Sequence, residues 1–104
     1  MENTNKLEAV EKALQDTKPT LVEFYTANEK RSDDTLPVIT ELSAKADKNV
    51  NIIAVETTAN PELVKKYHIH SVPTWIIFRD GQEAWRTGGR LPLSELEDMV
   101  NRFV

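Results

Sequence analysis

Leu21-Val22-Glu23-Phe24-Tyr25-Thr26 is the stretch from which the rest of the chain is read. Its branched and aromatic residues predict a strand. It is mostly apolar on both faces, so a strand covered on both sides is expected. Glu23 is the exception inside it. Upstream, Leu7, Val10, Ala13 and Leu14 recur at three- and four-residue spacing, which predicts a helix from Thr4 to about Gln15. Asp16-Thr17-Lys18-Pro19 ends it, because Pro19 pushes its predecessor away from helical geometry.

Downstream, a second helix is expected from about Asp33 to Lys48, with Leu36, Ile39, Leu42 and Ala46 on one face. Ser32 suits its N-cap, and Asp33 and Asp34 place negative charge in the first turn. Pro37 is expected to bend it. Val50 to Glu56 predicts a second strand. Asn60 to Tyr67 predicts a short helix, capped by Asn60 with Pro61 at its first position. Thr74–Phe78 and Glu83–Thr87 read as strands joined by the hairpin signal Asp80-Gly81. Leu91-Pro92-Leu93-Ser94 opens a last helix to Phe103, with Leu93, Leu96, Val100 and Phe103 as its apolar side. The order α, β, α, β, α, β, β, α defines an α/β chain. Strand–helix–strand units give a parallel pair, the hairpin adds an antiparallel edge, and helices cover both faces.

Composition narrows the function classes. The chain has 104 residues, which suits one domain over 1–104. Hydrophobic residues make up 39% and charged residues 29%, the balance of a soluble globular protein. No apolar run is long enough for a membrane helix, and Met1 to Lys6 begins no secretory core, so cytoplasm is the expected compartment. A net charge of −4 argues against a nucleic-acid partner, which would need a basic stripe. There is no cysteine, so the chain alone can supply no disulfide, thiolate nucleophile or thiolate metal ligand.

The element order, taken with several landmarks, resembles the thioredoxin family over nearly the whole chain, from about Leu7 to Phe103. Leu21-Val22-Glu23-Phe24-Tyr25 is similar to the strand leading into the active site of protein disulfide isomerase domains. Pro37 matches the proline of the family's long second helix, and Asn60-Pro61 with Lys66-Tyr67 matches the third. Ser71-Val72-Pro73-Thr74 is similar to the loop holding the cis proline, Phe78-Arg79-Asp80-Gly81 to the hairpin, and Gly89 to a glycine after the last strand. The resemblance implies the thioredoxin fold, a central mixed four-stranded sheet with the N-terminal strand short or absent. Counting forward from Phe24 and backward from Pro37 places Glu29-Lys30-Arg31-Ser32 where the family has Cys-x-x-Cys. Asn28 replaces the tryptophan before that motif.

Disulfide exchange needs a thiolate to attack sulfur and a second thiol to resolve the product. Neither the Glu29 carboxylate nor the Ser32 hydroxyl substitutes. The resemblance also makes Glu23 the family's buried acid beneath the second cysteine. Its lysine neighbour corresponds to Ala54, so Glu23 is either a residual proton acceptor for Ser32 or, as favoured, an inherited buried acid. The same resemblance makes Val72, Pro73, Thr74 and His70 the peptide-binding candidates, and implies that Val72 offers backbone groups to an extended segment. His68-Ile69-His70 has metal-like spacing on an extended segment, but a polar face around a buried isoleucine is the favoured reading and no metal is assigned.

These readings lead to an expected redox-inactive, non-enzymatic member of the family without cofactor. It would be a protein- or peptide-binding or chaperone-like module using the cis-proline loop, with a homodimer open. Two alternatives stand beside it. One is an enzyme of the superfamily using an external thiol such as glutathione, with Ser32 as the activating residue. The other is a structural dimerisation domain.

Overall fold

The computed structural model describes residues 5–29, 36–45 and 49–104. Along the chain come α1 (Leu7–Leu14), β1 (Thr20–Tyr25), α2 (Leu36–Lys45), β2 (Asn51–Glu56), α3 (Pro61–Lys66), β3 (Thr74–Arg79), β4 (Gln82–Gly88) and α4 (Leu93–Phe103). The strands form one mixed sheet in the order β2-β1-β3-β4, with β1 parallel to β2 and antiparallel to β3. Ser32 as N-cap, the acidic turn Asp33-Asp34 and Ala46 lie outside the described residues.

Strand alternation explains the two-sided core. Side chains two residues apart share a face. Val22, Phe24, Val55, Ile76 and Phe78 pack with Val10 of α1 and Leu63 of α3. Leu21, Trp75 and Ile77 point the other way and pack with Ile39 and Leu42 of α2 and Leu96 and Val100 of α4. β1 and β3 therefore have no water-facing side, which is why their sequences are apolar at both parities. β4 reads almost entirely exposed, as an edge strand should. Trp85 of β4 is half-buried and packs against the α2/α4 cluster. Trp75 is buried outright and satisfies its indole N–H with the Gly89 carbonyl at 2.8 Å. No helix among the described residues is long and apolar enough to cross a membrane.

Two local features differ from the sequence reading. Asn60 precedes α3 but makes no side-chain cap to it. Its amide donates to the Glu56 carbonyl at 2.8 Å, and its Oδ1 accepts the Lys6 N–H at 2.6 Å, so it ties α1 to the end of β2 instead. In β4, register shifts between the pairs Ile77↔Trp85 and Phe78↔Glu83, leaving Ala84 as an extra residue. Such a bulge reverses the alternation beyond it. Glu83 and Arg86, three apart, thereby come onto one side and pair at 2.8 Å.

The β3–β4 turn needs a left-handed backbone at both central positions, and Asp80 (φ 54) and Gly81 (φ 79) supply it. A Cβ on Gly81 would also sit 3.4 Å from the Leu14 carbonyl oxygen. Gly81→Ala should lower unfolding free energy by about 1 kcal/mol, and Gly81→Asn, which tolerates this backbone, by less. Urea denaturation of the two variants checks the ranking.

Candidate functional site

Register places the functional loops at one end of the sheet. β1 and β2 run parallel and finish together at Tyr25 and Glu56. β3 runs against them and begins there, with Thr74 opposite Phe24, and β4 ends there with Gly88 opposite Thr74. The segments after β1, after β2, before β3 and after β4 thus share one rim.

Glu56 fastens two of these segments. The residue is only 9% exposed. One oxygen, Oε2, accepts the Ala27 N–H at 2.9 Å; the other, Oε1, accepts the Ala59 N–H at 2.9 Å and the Thr58 hydroxyl. The Thr26 and Thr57 hydroxyls bond each other across the same gap. Burial acts to raise the Glu56 pKa, but the hydrogen bonds from the Thr58 hydroxyl, Ala27 and Ala59 outweigh it and hold the carboxyl below its ordinary value.

The loop before β3 is fixed from within. The Val72–Pro73 peptide bond is cis. Thr74 Oγ1 donates to the Ser71 carbonyl at 2.7 Å, and the Gly89 N–H donates to the Pro73 carbonyl at 2.9 Å. Pro73 and Thr74 are buried and shape the loop; Val72 is half-buried, and Ser71 and His70 are exposed. The backbone N–H and C=O of Val72 bond to no described residue. They stand beside a shallow groove of about 240 Å³ with Thr26 and Thr57 on one wall, Ile69 to Val72 on the other, and Val64 below.

Arg86 anchors the approach to that loop. Its guanidinium donates to the Tyr67 carbonyl at 2.6 Å and the His68 carbonyl at 3.4 Å, while Glu83 holds its other side. A cation fits this place, where carbonyls collect after the C-terminal end of α3. Hydrogen bonding to Arg86 lowers the Glu83 pKa and raises that of Arg86.

Glu29 is half-buried in a turn closed by its own N–H to the Thr26 carbonyl at 3.1 Å, with Asn28 left-handed at φ 66. Lys30, Arg31 and Ser32 lie outside the described residues. Glu23 is fully buried, and its cross-strand neighbours are Ala54 and Trp75, neither of them a cation. His68 is not on an extended segment: it turns the chain at φ 54, so the alternation expected of His68 and His70 does not apply. Among the described residues no group of three His, Asp or Glu side chains is placed to hold a metal ion. Glu56 and Arg86 went unread in the sequence. The Thr57-Thr58 pair after a strand-end acid was a signal for the first; the second depends on the Ala84 bulge.

A parallel β1–β2 pair, an antiparallel β3–β4 hairpin and a cis-proline loop on the shared rim define a thioredoxin-fold protein. The chain belongs to the thioredoxin family: the family model described as Thioredoxin matches residues 2–102. It is 31% identical over 83 residues to Thioredoxin Y2, chloroplastic, of Arabidopsis thaliana, covering 80% of this chain and 50% of that one. It is 28% identical over 94 residues to Thioredoxin 1 of Synechococcus elongatus, covering 90% of this chain and 88% of that protein. The chain thus spans about half the length of the plant relatives and most of the cyanobacterial one. Among solved structures, Schistosoma mansoni thioredoxin superposes with a TM-score of 0.83 at 23% identity, covering 100% of this chain and 94% of that one.

These names correct the expectation of a redox-inactive binding or chaperone-like module. The relatives are thioredoxins. This chain has no cysteine, and none of these relatives is named as a binding or chaperone-like module.

Glu56→Gln should lower stability by about 1–2 kcal/mol at neutral pH, because charge-assisted hydrogen bonds become neutral ones. The folded pKa is depressed, so the wild-type advantage is present above the ordinary value of 4.5 and is lost as pH falls through the lower folded value. Urea titrations of both proteins from neutral pH down to about pH 3 should show the two curves converging in acid.

Proposed function

We propose that this chain works in thiol–disulfide exchange between other molecules, with both reacting sulfur atoms carried by its partners. The reading rests on one conjunction: a thioredoxin-family chain matched over residues 2–102 that has no cysteine. In the exchange, a partner's thiolate attacks a disulfide sulfur of another partner, a new S–S bond forms and a thiolate leaves. No electron or proton is required from this chain. Its part is to hold an extended segment beside the groove. The N–H and C=O of Val72, which bond to no described residue, support this, since an extended backbone pairs with such groups as an added strand. His70 and Ser71 stand at the same wall, while Pro73 and Thr74 keep the loop in shape. Alone, the chain turns over no disulfide, and the partner that it meets is a protein or peptide.

The test uses the full chain, a disulfide-bonded peptide and a reduced two-cysteine protein as thiol source. The chain alone should give no reduction. Added to the thiol protein, it should raise the rate of peptide reduction by about tenfold, a barrier lowered by about 1.4 kcal/mol. Val72→Pro, which removes the open N–H, should abolish the increase while circular dichroism stays unchanged. A rate unaffected by the chain, or an increase that survives Val72→Pro, contradicts the proposal.

A further inference from the structure

β4 ends the sheet, with β3 on one side and no described strand on the other. The Gly89 N–H donates to the Pro73 carbonyl, so Pro73 and Gly89 extend the antiparallel β3–β4 ladder as a bonded pair. Bonded and non-bonded pairs alternate along such a ladder. Trp85 and Thr87 therefore turn their backbone groups toward β3. Arg86 and Gly88, opposite Ile76 and Thr74 in non-bonded pairs, turn theirs outward. These outward N–H and C=O groups bond to no described residue. A bulge or a charge pointing off the edge would ordinarily blunt such a strand. Here the bulge at Ala84 comes before this stretch, and the Arg86 side chain is drawn aside by the Tyr67 and His68 carbonyls. Trp85 to Gly88 is thus a regular edge.

One flank of this edge is a groove. Trp85 and Thr87 line it from the strand, and Leu91 and Met99 add apolar surface, around a space of about 310 Å³. Glu95, Asp98 and Arg102 of α4 stand along its other wall. All three are exposed, and no side chain among them bonds or ion-pairs with a described residue. The Trp85 indole N–H bonds to no described residue either. α4 follows β4 directly, so its first turns, with Glu95 and Asp98, lie beside the Gly88 end of the strand. Arg102 stands one turn beyond, toward the other end.

We infer that the β4 edge and the β4–α4 groove together dock an extended basic segment of a partner protein, added antiparallel to β4. Such a strand bonds through the residues that come opposite Arg86 and Gly88. The residue between them, opposite Thr87, sends its side chain to the α4 side, because successive side chains alternate. A lysine or arginine at that position meets the Glu95 and Asp98 carboxylates, with its apolar stem and charge against the Trp85 ring. Charge selects this occupant over the others. A second copy of the chain would bring another Glu95 and Asp98 to the same groove, on a molecule of net charge −4. An acidic segment would meet the same repulsion. The surface shares no residue with the Val72 groove, so either proposal stands without the other.

Titration of the full chain with a short peptide alternating threonine and lysine tests the inference, followed by amide NMR shifts and tryptophan fluorescence. Expected are a Kd below about 1 mM, shifts centred on Arg86 and Gly88, and altered tryptophan emission. The matched threonine–glutamate peptide should bind at least about tenfold more weakly. A proline–lysine peptide keeps the charge but lacks the N–H groups that would reach β4, so it should lose affinity by a similar factor. Glu95→Lys combined with Asp98→Lys, both at exposed positions, should invert the preference between the lysine and glutamate peptides, an inversion that mere damage to the fold would not show. The inference is overturned by no binding up to about 1 mM, or by a threonine–lysine peptide bound no tighter than either of the others. A preference that the double variant leaves unchanged, shifts away from β4 and α4, or a second copy of the chain on this edge by sedimentation would overturn it equally.

Discussion

β1 is the member on which everything else depends. It is the only described strand that bonds to a parallel neighbour on one side and an antiparallel one on the other, and both its faces are buried. Strand pairing sets its register against β2 and β3 together. A slip by one residue would carry Val22 and Phe24 to the α2/α4 side and Leu21 to the α1/α3 side. Burying a large apolar side chain is worth about 1.5–3 kcal/mol, so misplacing three of them would remove much of a marginal fold's stability. This cost fixes which loops share the rim.

The rim is then assembled from polar groups rather than apolar packing. Glu56 binds the turn after β1 to the turn after β2. Gly89 and Thr74 close the proline loop, and Arg86 holds the carbonyls that lead into it. Each tie satisfies a backbone group that a loop would otherwise expose. Among the described residues they leave the backbone pair of Val72 without a partner. The proposed role rests on those two groups, and no cysteine sulfur of this chain stands near them.

Element types were legible because core strands and amphipathic helices leave a periodic imprint. The apolar run at Leu21–Phe24, the Asp80-Gly81 turn and the proline at α3 each have one dominant local cause. Glu23 was legible as a lone charge in an apolar strand, and it is fully buried. The misses came from long-range competition. Asn60 has the chemistry of a cap, but the Lys6 N–H and the Glu56 carbonyl, brought near by folding, claim its side chain. The His68 spacing assumed extension, whereas the chain turns after α3. The Arg86 clamp needs an unpaired Ala84 on another strand, which no local pattern announces.

Native-state hydrogen exchange tests the primacy of β1 most directly. The account predicts that the ladder amides of Val22 to Phe24 exchange only through global unfolding, at the free energy given by urea denaturation. Exchange of those amides through local opening, at a free energy no higher than that of the exposed β4 strand, would contradict it.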